Sequence, residues 1–325
     1  MQAFRTPIDL PDYPFTLAYS DSFLSMGSCF AEQMAARLKQ VKFRVVDNPF
    51  GILYHPQNIA HSLHQLRCNH RYKETDLFEH RGIWSHFDFH GSYSSPSREE
   101  SLKKMNGSLE QASSTLAEAS LLIITLGTAY AWWHKKEQRI VANCHKLPGQ
   151  EFERRLIPVA EMARHLLEAI NALREINPEI RCLFTVSPIR HIRDGLVENQ
   201  LSKSSLRLLA HHLCTQLSGA YYFPSYELMI DDLRDYRFYA RDMIHPSAEA
   251  LDYIWAHFQD AFFQKDTRAL MREVDKMNRS LSHRPQYPDS TAHRRFQQQL
   301  LAQMEAIEQK HSFISFLSEK EKLLS

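Results

Sequence analysis

Residues 22–34, SFLSMGSCFAEQM, predict a buried strand that ends at a glycine and turns directly into a helix. Apolar side chains dominate the strand, Gly27 closes it, and a helical pattern follows over about 30–39. A hydroxyl and a thiol, those of Ser28 and Cys29, stand side by side at the corner. Because a nucleophile is often placed at a strand-to-helix corner, this stretch bears on the chemistry as well as on the fold.

The rest of the first 264 residues alternates short apolar runs with helical patterns, which favours a parallel α/β sheet. Two further central strands are predicted in ASLLIITLG at 119–127 and IRCLFTVSP at 180–188. An exposed strand or hairpin is predicted over 82–93, where apolar and polar residues alternate. The predicted helices that separate the strands include 98–118, 158–176 and 202–217.

The composition changes after residue 264. Residues 265–281 and 291–320 are charged, glutamine-rich helical stretches. We therefore predict an α/β domain over 1–264 and a helical C-terminal extension over 265–325. The extension is expected to pack on the main domain or on a partner, and it could join copies of the chain into a homo-oligomer.

Overall composition argues against nucleic acid and membranes as partners. Lysine and arginine number 39 and aspartate and glutamate 38 among the 325 residues, so there is no net basic field to attract a polyanion. The five cysteines are scattered and form no CxxC pair, which fits a reducing compartment. Because no apolar run has the length of a signal peptide core or of a membrane span, we expect a cytoplasmic location.

The stretch RDMIHPS at 241–247 is the second candidate for chemistry. Asp242 precedes His245 by three residues, and Pro246 opens the next helix. An aspartate at this spacing can orient an imidazole and stabilise its charged form, as the acid does in a nucleophile–His–acid triad.

Six ordered blocks carry a resemblance to a known family. GSCFA itself is followed by DNPFG at 47–51, ITLGTAYAW at 124–132, NCHKLP at 143–148, TVSPIRHIRDG at 185–195 and DMIHPS at 242–247. In this order the blocks resemble the GSCFA-domain family, a relative of the SGNH (GDSL-like) hydrolases.

The resemblance implies a three-layer α/β/α fold with a parallel sheet, SGNH hydrolase-like and flavodoxin-like in architecture. It also implies an esterase that cleaves an acyl or acetyl ester of a small molecule or carbohydrate through a nucleophile–His–Asp triad, with Asp242 and His245 as the last two members. Gly51 is then the glycine whose N–H helps to form the oxyanion hole. Neither a cofactor nor a metal is expected.

Two departures from the SGNH pattern affect the mechanism. An ungapped alignment on Gly27 puts Cys29 at the nucleophile position and Ser28 at the usual aspartate, and Ala129 replaces the asparagine of the third block. We favour Cys29, because a helix N-terminus and a nearby histidine both favour a thiolate. Ser28 is the nucleophile if the turn is shifted by one residue. In the alternative without chemistry, Ser28 caps the helix and Cys29 packs as a small apolar side chain.

A replacement for the missing oxyanion donor is expected near the third block. Asn143 and His145 could fold back over the pocket, and Thr128 could donate through its hydroxyl or its N–H. A thiol nucleophile would form an energy-rich thioester, so an acyltransferase is the alternative to an esterase. A third alternative is a ligand-binding protein of this fold that has lost turnover.

Two residues after the second central strand are candidate substrate contacts. Arg190 and His191 should lie at the carboxyl edge of the sheet, where α/β proteins bind ligands. Arg190 could hold a carboxylate or phosphate of the substrate, or simply pair with Asp194.

Histidines are numerous, at 18, but they suggest no metal centre. His86, Asp88 and His90 would share one face of a strand, and 61–64 places two histidines on one helix face. Neither set has the tight spacing of a metal-ligand motif, so we interpret both as polar surface.

Overall fold

The computed structural model describes residues 5–282, 286–287 and 290–324. The strands in this part of the chain are β1 (Ser22–Gly27), β2 (Arg44–Asp47), β3 (Phe78–His80), β4 (Ile83–Ser85), β5 (Leu121–Leu126), β6 (Tyr130–His134), β7 (Arg139–Val141), β8 (Phe152–Leu156), β9 (Arg181–Val186) and β10 (Ala220–Tyr222). The α-helices are α1 (Cys29–Gln40), α2 (Pro56–Arg67), α3 (Arg98–Glu118), α4 (Val159–Arg174), α5 (Leu196–Gln216), α6 (Ser225–Glu227), α7 (Ala248–Phe262), α8 (Lys265–Ser282), α9 (Thr291–Lys310) and α10 (Leu317–Leu324), with a π-helix over Leu228–Leu233.

A five-stranded parallel sheet forms the centre of the molecule, in the order β2-β1-β5-β9-β10. In chain order this is the 2-1-3-4-5 arrangement of flavodoxin-like folds. The predicted α/β class with a three-layer α/β/α architecture is therefore confirmed. No helix within the described residues is long and apolar enough to cross a membrane.

Successive side chains of the central strands point to opposite faces of the sheet. They pack into two separate apolar cores, one on each face. Leu122 and Ile124 of β5 point into a core shared with α2, α3, α4 and α5. Leu121 and Ile123 of the same strand point into a core shared with α1, α7, α8 and α9. A parallel strand that is covered on both faces reads as a continuous apolar run, which is why β5 stands out in the sequence.

The C-terminal helices pack on the α/β body at the amino ends of the strands. Tyr19 and Phe43, which precede β1 and β2, stack with ring centroids 4.3 Å apart, and Phe313 stacks on Tyr19 at 5.2 Å. Lys42 also pairs with Glu319 at 2.6 Å. The predicted single helix over 291–320 is broken at 311–316, where the chain turns so that Ile314 and Phe316 enter the core.

An antiparallel sheet β7-β6-β8 follows β5 at the carboxyl edge. In it β6 pairs with both β7 and β8. Helix α5 begins six residues earlier than its predicted start at 202. The strand prediction over 82–93 is wrong beyond Ser85. Residues 86–90 form a buried turn in which the Asp88 N–H donates to Nδ1 of His86 at 3.1 Å.

Asp88 explains why this segment turns. Its carboxylate is buried and accepts hydrogen bonds from Tyr72 Oη at 2.8 Å, His61 Nε2 at 2.9 Å and Arg139 Nη1 at 2.5 Å. Burial raises the pKa of the Asp88 carboxyl, but the hydrogen bond from His61 and the charges of its neighbours outweigh burial and hold the pKa well below its usual range. His86 and Asp88, which the sequence analysis interpreted as polar surface, are therefore buried. No group of side chains suited to hold a metal ion occurs among the described residues.

Replacing Asp88 by Asn should lower the free energy of unfolding by about 3 kcal/mol at pH 7, because one partner of a buried ion pair is lost. A depressed carboxyl pKa stabilises the fold above the unfolded-state value near 4, and that contribution disappears as the pH falls. The difference between wild type and D88N in urea unfolding should therefore shrink below about pH 4. Glu175→Gln, at an exposed pair with Arg67, is the control and should cost under about 1 kcal/mol.

Candidate active site

Gly27 forms the corner between β1 and α1, and no other residue fits there. Its φ is +140°, and a Cβ at this position would lie 2.1 Å from the Thr125 carbonyl oxygen of the neighbouring strand. Asn48 completes the corner, since its Oδ1 accepts from the Gly27 N–H at 2.8 Å and its own N–H donates to Ser25 O at 2.8 Å. The predicted GSCFA corner is thus a tightly packed turn that begins α1.

Ser28 and Cys29 occupy different environments at this corner. The Ser28 side chain is buried, with 1% of the residue exposed, and its Oγ accepts from the Phe30 N–H as the helix N-cap. Cys29 is half-buried and begins the helix, where the unpaired N–H groups favour negative charge. Ser28 thus takes the capping role of the alternative without chemistry, and the Cys29 thiol is the more accessible of the two groups.

The thiol of Cys29 contacts the hydroxyl of Tyr54, with Sγ and Oη 3.3 Å apart. Burial raises the pKa of Tyr54, so its hydroxyl stays protonated and can donate to a thiolate. The rings of Tyr54 and His191 form a T-shaped contact, with centroids 5.0 Å apart. Burial and then the charge of Lys203 lower the pKa of His191 to about 3, so this imidazole is neutral near pH 7.

Asp242 and His245 form a local pair. Asp242 Oδ2 lies 2.6 Å from His245 Nδ1, and its Oδ1 accepts from the N–H groups of Ile244 and His245. These hydrogen bonds lower the pKa of the Asp242 carboxyl to about 2. The carboxylate is thereby held charged, and it directs Nε2 of the imidazole away from itself.

Arg190 binds the loop that carries Asp242 and His245. Its backbone N–H donates to Ile244 O at 3.2 Å, and its Nη1 donates to Met243 O at 3.3 Å. Its guanidinium lies 3.8 Å from the centroid of the Tyr239 ring. The alternative pairing with Asp194 is absent, because Asp194 is held by Arg154 at 2.5 Å.

The carboxyl edge of the sheet brings Cys29 and His245 into one neighbourhood. His191 contacts the Tyr54 ring, and the adjacent Arg190 binds the loop that carries His245. In the described structure the Cys29 thiol contacts Tyr54 Oη and the His245 ring contacts Asp242, and no hydrogen bond joins the thiol to the imidazole. Such contacts often tighten only when substrate is bound.

Two of the oxyanion donors expected from the sequence are already engaged. The Gly51 N–H donates to Asn48 O at 2.7 Å, and the Thr128 N–H donates to Tyr54 O at 3.0 Å. The Thr128 hydroxyl is buried and contacts Ser202 Oγ at 3.1 Å. Both N–H groups therefore hold the fold in the described state and are not free to bind a developing negative charge.

Asn143 offers a freer donor. Its Oδ1 accepts from the His145 N–H at 2.8 Å, which leaves the amide Nδ2 to point elsewhere, close to Gly91. His145 itself contacts the His86 carbonyl through Nε2 at 2.9 Å, and burial lowers its pKa to about 4. Asn143 is thus the side-chain candidate, and His145 positions the turn that carries it.

Three residues of the site were missed by sequence reasoning. Asn48 lies within the quoted DNPFG block, but its bond to Gly27 depends on the folded loop. Tyr54 follows the same block by three residues, and Lys203 lies in a helical stretch where lysine is normally exposed. Only Asn48 had a local signal, since asparagine next to proline marks a turn.

The family model described as the GSCFA family matches residues 22–258, and that of the GSCFA domain protein C-terminal domain matches residues 274–325. The chain therefore belongs to the GSCFA family. No curated protein and no solved structure was found to match it. The six sequence blocks fall within the first match, and the corner at Gly27 and the pair at His245 are both included in it.

Replacing Tyr54 by Phe should slow alkylation of Cys29 by iodoacetamide at least about tenfold at pH 7, because a hydrogen bond to a charged sulfur is worth about 1.5–3 kcal/mol. The rate is measured by peptide mass spectrometry over a time course. Tyr19→Phe removes a buried hydroxyl that donates to Val41 O at the other end of the sheet, and it should leave the rate unchanged. Equal rates in Y54F and wild type would show that the hydroxyl does not stabilise the thiolate.

Proposed function

We propose that this chain catalyses acyl transfer from an ester, with Cys29 as nucleophile and His245 as general base. The observation that carries the proposal is the Asp242–His245 pair at 2.6 Å, on a loop bound by Arg190. The next residue, His191, contacts the Tyr54 ring, and the Tyr54 hydroxyl contacts the Cys29 thiol. The resemblance of the GSCFA blocks to SGNH hydrolases gives the same roles to these positions.

The chemistry follows the order of proton and bond changes in a nucleophile–His–Asp triad. His245 Nε2 takes the thiol proton, and Sγ attacks the ester carbonyl carbon. The carbonyl oxygen becomes an oxyanion that accepts from the Cys29 N–H and from Asn143 Nδ2. When this tetrahedral intermediate collapses, the bond between the carbonyl carbon and the ester oxygen breaks. The leaving alkoxide takes the proton back from His245 and departs as an alcohol. An acyl thioester remains on Cys29, while Asp242 stabilises the charged imidazole in between.

The second half-reaction decides between an esterase and an acyltransferase. Water activated by His245 releases a carboxylic acid, whereas an acceptor hydroxyl or amine takes the acyl group in a new ester or amide. A thioester favours transfer, because it reacts readily with amines and alcohols when water is excluded from the site. The acyl donor we propose is an ester of a small molecule or carbohydrate.

The second candidate is a ligand-binding member of the fold without turnover. It is favoured by one observation, namely that the N–H groups of Gly51 and Thr128 are engaged within the fold. Removal of one oxyanion donor costs about 10²–10³ in rate, so loss of two would leave little catalysis.

Iodoacetamide labelling and hydrolysis of para-nitrophenyl acetate test the first proposal together. Cys29 should be labelled faster than Cys144 and Cys214, whose thiol pKa values burial raises to about 11 in each case. His245→Ala should slow both the labelling of Cys29 and the turnover by about 10²–10⁴-fold. His257→Ala, a half-buried histidine of α7 that packs against Tyr253, is the matched control and should change neither.

Three outcomes would contradict this assignment in different ways. A fluorophosphonate adduct on Ser28 that depends on His245 would move the nucleophile to the hydroxyl. Rapid labelling of Cys29 without turnover of esters or acyl thioesters would favour the binding protein. Labelling of Cys29 at the rate of Cys144 would exclude a covalent mechanism at this corner.

A further inference from the structure

Lys203 has a fully buried amino group that the proposed reaction does not use. It lies in α5 with 1% of the residue exposed, and within the described residues no carboxylate pairs with it. Its Nζ donates to Gly127 O at 2.9 Å and to Ser187 O at 2.8 Å, and it lies 5.9 Å from the centroid of the Tyr226 ring. Burying an amino group away from any counter-charge is costly, so this position calls for a specific role.

The two carbonyls lie just after β5 and β9, at the same carboxyl edge of the sheet as Cys29. Gly127 follows β5, and its N–H donates to Tyr54 O at 2.9 Å. Ser187 follows β9 and leads into the segment that carries His191. A single amino group thus ties together the ends of two central strands. The loop after β5 binds the Tyr54 carbonyl, and the loop after β9 carries His191, whose ring contacts the Tyr54 ring.

We propose that Lys203 is a positioning residue that holds the Tyr54 hydroxyl against the Cys29 thiol by fixing Gly127, a role that rests on the proposed function of Cys29. The contacts form an unbroken series: Lys203 Nζ to Gly127 O, Gly127 N to Tyr54 O, and Tyr54 Oη to Cys29 Sγ. Gly127 transmits position closely, since a Cβ there would lie 2.9 Å from Tyr54 O.

The choice of lysine fits this role better than an apolar residue would. Methionine could fill the same volume, but it would leave two buried carbonyls without donors, and each unsatisfied group is costly. Burial alone lowers the pKa of Lys203 to about 7. A neutral amine still has two N–H groups, so Lys203 can donate a hydrogen bond to both Gly127 O and Ser187 O above and below that pH.

The test measures alkylation of Cys29 by iodoacetamide in Lys203→Met, Tyr54→Phe and the double variant. K203M should slow alkylation at least about tenfold at pH 7, to the rate of Y54F, because both lose the same hydrogen bond to sulfur. The double variant should be no slower than Y54F alone, since two changes along one series of contacts are not additive. Effects that multiply in the double variant would overturn the proposal, as would a wild-type rate in folded K203M.

Lys42→Met is the matched control, because Lys42 is a largely buried lysine at the opposite end of the sheet. It should leave the alkylation rate unchanged. Circular dichroism shows whether K203M folds. If it does not, Gly127→Ala changes the residue that links Lys203 to Tyr54. G127A should also slow alkylation, but only when Tyr54 is present. If neither variant folds, Lys203 acts on the whole fold and the proposal is overturned.

The failure of this inference and that of the proposed function are distinguishable. Alkylation that does not depend on His245 would count against the acyl-transfer mechanism, yet the coupling between Lys203 and Tyr54 would still be measured. Alkylation that depends on His245 but not on Lys203 would overturn the positioning role alone.

Discussion

The close approach of Gly27 to β5 is the constraint on which the rest of the site depends. Because a Cβ at this position would meet the Thr125 carbonyl at 2.1 Å, only glycine lets β1 end against its neighbour and turn at once into α1. The turn makes Ser28 the helix cap and leaves Cys29 as the first helical residue, half-buried. Asn48 and Leu53 then bind the corner through its N–H and its carbonyl, which brings Tyr54 to the thiol.

Features that depend on local patterns were predictable from the sequence. The central strands β5 and β9 are continuous apolar runs, and α3 shows its polar helical pattern with the same bounds as in the structure. The Asp242–His245 pair was predictable for the same reason, since three residues of separation place carboxylate and imidazole in one turn. The GSCFA blocks added the order of these pieces along the chain, which periodicity alone does not supply.

Features that depend on contacts between distant segments were not predictable. Gly51 and Thr128 were candidate oxyanion donors from their place in the sequence blocks, but their N–H groups are bound by carbonyls of other residues of the fold. Residues 86–90 alternate like a strand, yet the charges around Asp88 turn them inward because an arginine 51 residues away supplies the counter-charge. Lys203 resembles any helical lysine in sequence, and only the meeting of β5 and β9 reveals its two acceptors.

The packing of the C-terminal helices has a consequence for how this chain folds during synthesis. Lys42 and Glu319 are paired across 277 residues, and Tyr19 and Phe43 share their apolar cluster with residues of α9. While a ribosome is still translating the α/β region, the helices that pack on these rings have not yet been made. The apolar core that Tyr19 and Phe43 share with α9 is therefore still exposed to solvent. Long-range closure of this kind slows folding and exposes apolar surface to aggregation. Chaperone capture of the nascent chain is expected to centre on the amino ends of β1 and β2.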